Sequence, residues 1–364
     1  MKKILIIGNS LSAWSVASAF INQKVNITII GKKNNTFGAQ QLSPNGFRAL
    51  KKLIQNDDVK NIVYEIIKFQ INSYNNNETK NLKNFYFNEF DLKYFSVSRE
   101  MLINFLMKNV KNNIQINEIN KSCVGIIHRE PGKFEVLTDN NEYITADIII
   151  GCDGVNGITR KYVCGTTNIV KKQVFRGISN DKKKLLLKQK TLELNFSNYG
   201  HFVSYPFINN NKTYINYVFI PNRLFQNSNK ILDKIKSISK FSQIDWNDGH
   251  FYFYEDEIQT IHKNNILLFG DAGFSFEPHL AQVGNNIIED ASYLKFLVEN
   301  TNSYDEIFEN FSRNTCEKKR KLKSISNIVG ITFGISTFTK LRDSLVSNFS
   351  DQLISNFFKK IWYD

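Results

Sequence analysis

Residues 3–30 carry the pattern that most restricts this chain. Ile4-Leu5-Ile6-Ile7 is an unbroken apolar run, the mark of a strand buried on both faces. Ser12 to Gln23 then shows helical spacing, and Val25-Asn26-Ile27-Thr28-Ile29-Ile30 reads as a second strand. Strand, helix and strand in such short order make a βαβ unit, whose crossover lays the two strands parallel in one sheet. The chain is thereby committed to an α/β architecture.

The remainder builds on that opening. A helix is predicted over Pro44 to Gln55, with proline in the first turn where its missing N–H costs nothing. Asn75 to Asn84 is the most polar and least periodic stretch and reads as a long surface loop. Arg99 to Val110 reads as helix, followed by strands at Gly125 to His128, Lys133 to Leu137 and Ile144 to Gly151, with Asn140-Asn141 turning between the last two. From Gln173 to about Tyr254 the texture changes. Runs such as His201-Phe202-Val203-Ser204-Tyr205 and Thr213-Tyr214-Ile215-Asn216-Tyr217-Val218-Phe219 alternate with period two, as an antiparallel sheet does when one face packs on a core and the other forms a wall. Beyond residue 279 the chain reads as helices. The expected division is 1–172, a first part of a nucleotide-binding domain, 173–260, an inserted β-sheet domain, and 261–364, the second part of the first domain with C-terminal helices.

Composition excludes several classes. A hydrophobic share of 42% with 30 Phe and 15 Tyr argues against disorder. The net charge of +13 is spread as Lys among Asn and Ile without a basic block or aromatic-interleaved stripe, so a solvated surface is expected rather than nucleic-acid binding. Cys123, Cys152, Cys164 and Cys316 lack C-x-x-C spacing and a histidine cluster, so neither zinc nor a disulfide framework is expected. The first strand begins at Lys3 with no signal-peptide layout before it, and its apolar run is too short to span a bilayer. A cytoplasmic protein is expected, with at most peripheral membrane contact. Oligomeric state is not legible.

Five segments carry candidate chemistry. Gly8-Asn9-Ser10-Leu11-Ser12-Ala13 is the first βα turn, where a nucleotide-binding fold holds pyrophosphate on a helix N-terminus. Ala17 and Phe20 fill the small and apolar positions of the helix that follows. Gly38 to Leu50 joins small residues to a Pro-initiated helix. Val97-Ser98-Arg99-Glu100 places a guanidinium at a helix start, a planar fork of donors suited to a diphosphate. Ala146 to Arg160 runs a buried strand into Asp153-Gly154 and on to Arg160. Last, the apolar run Ile266 to Phe269 delivers Gly270-Asp271-Ala272, followed by Pro278-His279-Leu280-Ala281-Gln282-Val283-Gly284-Asn285 opening a helix, a place for hydroxyls and phosphates.

In this order the segments resemble the FAD-dependent aromatic hydroxylases, the family of para-hydroxybenzoate hydroxylase, salicylate hydroxylase and the ubiquinone-pathway hydroxylases. The resemblance covers nearly the whole chain. It implies a Rossmann-like FAD-binding domain in discontinuous segments, an inserted antiparallel β-sheet substrate domain and C-terminal helices. It further implies that Gly8, Ser10, Leu11 and Ala13 hold the pyrophosphate turn and that Gln41 lies near the isoalloxazine. Arg99 would reach the diphosphate and ribityl region, and Asp153 and Gly154 the diphosphate and the path of the nicotinamide. Gly270 and Asp271 would take the ribityl hydroxyls, and Ala281, Gln282, Gly284 and Asn285 the pyrimidine end of the flavin. His201 and Tyr205, in Gly200-His201-Phe202-Val203-Ser204-Tyr205-Pro206, are expected to line a substrate cavity.

The reaction implied is hydroxylation of a phenolic ring with NADH or NADPH and O2, with no metal and no acid–base residue assigned. The ending Ile361-Trp362-Tyr363-Asp364 resembles the W-x-Y endings of the salicylate- and ubiquinone-hydroxylase branch. A ubiquinone precursor is the favoured substrate, because the Lys-bearing C-terminus (Leu353, Phe357, Phe358, Lys359, Lys360, Trp362) has the make-up to rest on a membrane, although the same segment reads equally as a core-packing helix. Four positions depart from the family pattern. Ser10 replaces the second glycine, Gly31 stands where a ribose-binding carboxylate belongs, Gly157 replaces a serine, and Val283 displaces a glycine by one residue. These favour an alternative, a flavin-fold accessory or binding protein with weakened or lost FAD binding. A carboxylate at position 31 is expected to strengthen FAD binding.

Overall fold

The computed structural model describes residues 1–33, 36–54, 57–75, 78–130, 132–165, 168–180, 189–226, 230–238, 241–254, 259–335 and 339–363. The opening folds as its apolar pattern requires: β1 (Lys2–Ile7), α1 (Leu11–Ala19) and β2 (Val25–Ile30), with β1 and β2 parallel and Ile4 opposite Ile27. α1 stops at Ala19, short of Gln23, because Phe20 leaves helical geometry and residues 21–23 turn the chain back into β2. β3 (Ala39–Leu42) and α2 (Pro44–Ile54) follow, the latter starting on its proline as expected; Gln55 lies outside the described residues.

Next come β4 (Val63–Ile66), β5 (Lys68–Asn75), β6 (Glu78–Tyr86), β7 (Tyr94–Ser98), α3 (Arg99–Asn113) and β8 (Ile116–Ile119). The stretch expected as a loop at Asn75 to Asn84 is largely β6, paired antiparallel with β5. Leu82 and the following Phe85 are its buried residues, and Asn and Lys fill the solvent side, so composition masked a strand anchored by two side chains.

β9 (Cys123–Glu130), β10 (Lys133–Thr138) and β11 (Tyr143–Ala146) form a small antiparallel sheet. The run expected as one strand over Ile144 to Gly151 breaks at Asp147, and β12 (Ile148–Gly151) joins a different sheet. Asp147 makes the break by exchanging bonds with Lys3: its N–H donates to Lys3 O (2.9 Å) and its carboxylate accepts from Lys3 N (2.8 Å). α4 (Ile158–Cys164) leads to β13 (Ile169–Ser179), β14 (Thr191–Ser197), β15 (Gly200–Asn209), β16 (Lys212–Pro221), α5 (Ile231–Lys236) and β17 (Asp245–Tyr254). β18 (His262–Lys263) and β19 (Ile266–Leu268) precede the last helices, α6 (Val283–Asn300), α7 (Tyr304–Phe333), α8 (Thr339–Ser347) and α9 (Asp351–Tyr363).

The first sheet has the order β18-β19-β12-β1-β2-β8, parallel except for β18. Its faces explain the unbroken apolar run: Ile4 and Ile6 enter a core with α1, α3, α6 and α7, whereas Leu5 and Ile7 pack against Phe134 and Val136 of the small antiparallel sheet. The strand order reverses direction at β1, the crevice where doubly wound sheets bind ligands.

The second large sheet runs β17-β13-β16-β15-β14-β5-β6. It is mixed rather than purely antiparallel, because β5 pairs parallel with β14. Phe175, Phe202 and Phe219 point to one side, against Phe241 and Trp246. Arg176, His201, Val203, Tyr205, Asn216 and Val218 alternate with them and face the other side. A fourth sheet, the three-stranded β3-β7-β4, packs its β4 and β7 against β15 of the seven-stranded sheet.

α9 turns Ile354, Phe358, Ile361 and Trp362 inward, with Trp362 stacked on Phe358 (4.6 Å) and 5.5 Å from the Tyr94 ring. Arg48 ties down the chain end, donating to Trp362 O (3.1 Å) and covering the Tyr363 ring at 4.1 Å; Asp364 lies outside the described residues. Of the apolar residues expected on a membrane face, Leu353 and Phe357 are exposed while Phe358 and Trp362 are packed. No helix among the described residues is long and apolar enough to cross a membrane.

Candidate functional site

A cavity of about 760 Å³ lies where the C-terminal edge of the parallel sheet meets the wall face of the seven-stranded sheet. Two helix N-termini open into it. At α1, Ser10 is the N-cap residue but its side chain makes no capping bond among the described residues, so the first-turn amides lack that cap; Ser10, Leu11 and Ser12 line the cavity. At α6, Gln282 likewise makes no side-chain cap, and Ala281, Val283 and Gly284 line the wall. Such N-termini carry partial positive charge and free donors.

Several buried polar atoms around this space have no partner among the described residues: Asp271 Oδ1, Arg99 Nε, Gln40 Nε2, Asn216 Nδ2 and His279 Nδ1. All five residues line the cavity. Buried groups are normally satisfied, so this concentration marks a ligand site rich in hydroxyls and negative charge. Burial raises the Asp271 carboxyl above its usual range, against the pull of Lys319 and Arg99. Arg176 faces the same space, and burial, then the nearby Arg99 guanidinium, push it down to about 10. Tyr205 donates to Ala39 O (3.1 Å); burial raises its phenol to about 12 despite both arginines.

The loop bearing Asp271 is held from behind. Arg160 is buried and donates to Ala272 O (2.8 Å) and Gly273 O (3.2 Å), with the Tyr254 ring 3.0 Å from its guanidinium carbon. Tyr254 in turn donates to Val155 O and Asp271 O. Gly270 takes φ +61°, and a Cβ there would lie 2.2 Å from Ser12 Oγ, so the Asp271 turn and the start of α1 touch.

Of the residues singled out from sequence, Ser10, Leu11, Gln41, Arg99, Asp271, Ala281, Gly284, His201 and Tyr205 are brought together around the cavity. Others serve the frame. Gly8, at φ +123°, packs so tightly that a Cβ would lie 2.3 Å from Cys152 O. Ala13 is fully buried in the core. Asp153 is committed to Thr159, accepting from its N–H (3.0 Å) and its hydroxyl, and burial raises its pKa against those bonds. That carboxylate also explains Gly157, whose Cβ would lie 2.2 Å from it. Gly154 turns the chain at φ +79° into open space. Gln282 donates to Ser43 Oγ (3.0 Å) and accepts from Asn45 Nδ2 (2.9 Å). Asn285 spans Ser43 N, Gln41 O and Ala281 O, latching the start of α6 to the β3–α2 connection.

Lys32 and Lys33 pair with Asp139 and Glu118. At Gly31 a Cβ would lie 2.8 Å from both Asn9 N and Gly8 C, so no side chain fits without moving the first βα turn. Sequence reasoning gave no role to Gln40, Arg176, Asn216 or His279, although Gln40 and His279 fall inside segments it singled out. Period-two alternation was the signal for two of them: it sets Arg176 and Asn216 on the wall face with Tyr205.

Beside the cavity, Glu277 accepts from Lys172 and from His279 Nε2 (2.6 Å). Burial alone would raise its carboxyl, but these bonds hold it down at about 2, against 4.5 unperturbed. A folded-state pKa below the unfolded one means stability that is complete above pH 4.5 and lost as pH falls towards 2. Glu277→Gln is therefore expected to flatten acid unfolding, followed by circular dichroism, in that window.

No protein-family model matches the chain, and no curated protein sequence matches it. Solved structures do. HpxO from Klebsiella pneumoniae, crystallised with FAD and uric acid, superposes with a TM-score of 0.84 at 14% identity, covering 99% of this chain and 96% of that one. A salicylate hydroxylase substrate complex gives 0.74 at 14% identity, over 98% of each chain. The 2,6-dihydroxypyridine-3-hydroxylase from Arthrobacter nicotinovorans gives 0.74 at 12% identity, over 93% of this chain and 95% of that one. From the βαβ opening to the C-terminal helices, this chain has the fold of the FAD-dependent aromatic hydroxylases.

Proposed function

We propose that this chain is a FAD-dependent monooxygenase that hydroxylates a phenolic ring with NADH or NADPH and O2. One observation carries the reading: unpartnered buried polar atoms, led by Asp271 Oδ1 and Arg99 Nε, gather where the N-termini of α1 and α6 open into one cavity, opposite an aromatic and aliphatic wall. A ligand with a diphosphate, a polyol and a flat ring answers that set. The α1 N-terminus with Ser10 takes the diphosphate, Arg99 reaches diphosphate and polyol, Asp271 accepts from the polyol hydroxyls, and the α6 N-terminus favours negative charge at the pyrimidine edge. When bound, the flavin accepts reducing equivalents and activates O2; the chain's own work is to orient the ring and exclude water. Residues 1–172 and 261–364 form the cofactor-binding part on this reading, and 173–260 the substrate part.

The wall supports a substrate class. Phe196, Phe333, Phe349, Phe357 and the exposed Leu353 also line this cavity, room for an apolar tail on the ring. A ubiquinone precursor, met by peripheral contact of α8 and α9 with a membrane, is the specific proposal, and a cytoplasmic location goes with it. A second reading, an accessory flavin-fold protein, is favoured by Val283 on the cavity wall.

Purification followed by absorption spectroscopy separates the two. The enzyme is yellow, or becomes so with added FAD, and oxidises NAD(P)H faster with phenolic acids or prenylated phenols; a colourless protein that takes up no FAD sinks this reading. His201→Ala or Tyr205→Ala is expected to leave FAD content intact while diverting NAD(P)H oxidation to hydrogen peroxide, because oxygen transfer needs the ring held in line. Unchanged coupling in both variants would put the substrate against another surface.

A further inference from the structure

His279 sits in a socket made for it. It follows Pro278 on the turn before α6 and its side chain is only 4% exposed. α7 passes behind it at Gly330, where a Cβ would lie 2.5 Å from the ring. Phe333 meets the ring edge-on, and the His201 ring centroid is 5.4 Å away. Glu277 is fixed in turn: Ser326 Oγ donates to its backbone O (2.6 Å) and Lys172 binds its carboxylate.

This arrangement sets the tautomer. An ionised carboxylate only accepts, so the 2.6 Å contact requires His279 Nε2 to donate to Glu277. The neutral ring then carries its lone pair on Nδ1. That atom is buried, has no partner among the described residues, and belongs to a ring lining the cavity that Arg99, Arg176 and Tyr205 also line. The neighbours offer no equivalent. The Tyr205 hydroxyl is committed to Ala39 O, and His201 bonds no carboxylate among the described residues and is pushed well below its usual range by burial and then by His279. A carboxylate bonded to one ring nitrogen fixes the tautomer and orientation of the imidazole, and a desolvated lone pair calls for a donor from the ligand.

We propose that His279 is a catalytic base that takes the proton from an acidic O–H on the bound ring, with Glu277 and Lys172 as positioning residues. The proposal rests on the reading of this cavity as the place where a phenolic ring is hydroxylated. In the step, the ring O–H bond breaks and its electron pair stays on oxygen. The proton forms an N–H bond at Nδ1, and the Nε2–H remains with Glu277. The imidazolium is flanked by the phenolate and the carboxylate, and the proton returns to the oxygen as product leaves. A phenolate pushes electron density to the carbons beside and opposite its oxygen, which is what transfer of an electrophilic oxygen requires. Of the neighbouring groups, Lys172 from β13 binds the Glu277 carboxylate, and Arg342 from α8 bears on the adjacent His201 ring.

The test is the ionisation of para-nitrophenol bound to the purified, FAD-loaded protein, read from its phenolate absorbance against pH, in wild type, His279→Gln and Glu277→Gln. Gln at 279 keeps a hydrogen bond but takes no proton; Gln at 277 keeps the contact but removes the charge behind it. The bound probe is expected to ionise about tenfold or more readily in the wild type than in either variant, with FAD content equal in all three. General-base contributions predict a fall of about 10²- to 10⁴-fold in turnover of a phenolic substrate for His279→Gln. Equal ionisation in wild type and His279→Gln overturns the proposal while the cavity reading stands. A wild type that takes up neither FAD nor the probe overturns both. If His279→Gln does not fold, Glu277→Gln decides alone, since a purely structural role for the turn leaves the ionisation where it was.

Discussion

Asp271→Asn is expected to make the flavin-free protein more stable and, at the same time, a poorer flavin binder. The carboxylate Oδ1 is buried without a partner among the described residues, and burial raises its pKa, so in the empty protein the charged form works against folding. The sign is that of a raised carboxyl: the group favours the fold at low pH and loses that contribution as pH rises through its folded-state pKa. An amide of the same shape removes the charge. An unsatisfied buried polar group costs about 1–3 kcal/mol, so the melting temperature of the flavin-free variant should rise by a few degrees. Binding moves the other way. Hydrogen bonds to a charged acceptor are worth about 1.5–3 kcal/mol, and the dissociation constant for FAD should rise about tenfold to a hundredfold. Calorimetric melting of flavin-free protein and fluorescence titration with FAD check both halves. A variant that is less stable when empty, or that keeps wild-type affinity, would mean that Asp271 has a partner in the protein and no role in the ligand site.

That opposition between stability and binding is where sequence reasoning ran thin. The apolar run at Ile4 to Ile7, the alternation from His201 to Phe219 and the Asp271 turn were all legible, because burial and period leave direct marks in residue order. What was not legible depended on two distant segments meeting. Asn285 and Gln282 sit in a motif suggestive of a flavin, yet their side chains latch α6 to Ser43 and Asn45, more than two hundred residues away in the chain. Asp153 is spent on Thr159. Conversely, His279 gains its meaning only from Glu277 and Lys172, the latter on a strand of the other large sheet. The polar stretch ending at Asn84 reads as loop until Leu82 and Phe85 are seen against a core.

Gly31 makes the same point in a form that can be measured. Judged by position alone, Gly31→Glu restores a ribose partner and tightens FAD binding. The geometry reverses that expectation. Gly31 N donates to Ile119 O (3.1 Å), its own O accepts from Asn9 Nδ2 (3.4 Å), and its Cα faces the backbone of the Gly8–Asn9 turn. A Cβ would lie 2.8 Å from Asn9 N and from Gly8 C, atoms that cannot swing aside as a flexible side chain does. The turn cannot simply retreat either, since Gly8 is wedged against Cys152 and Asn9 Oδ1 holds Trp14 Nε1 at 2.9 Å. Overpacking of this kind costs about 1–3 kcal/mol, and the strain falls on the turn that leads into the α1 N-terminus. Gly31→Glu is therefore expected to lower the melting temperature and the FAD content together, and Gly31→Ala, which adds the Cβ without the carboxylate, should reproduce most of both losses. If Gly31→Glu instead melted as the wild type does and held FAD more tightly, the turn would have to yield to a side chain, and the departure at position 31 would be a missing contact rather than a packing requirement.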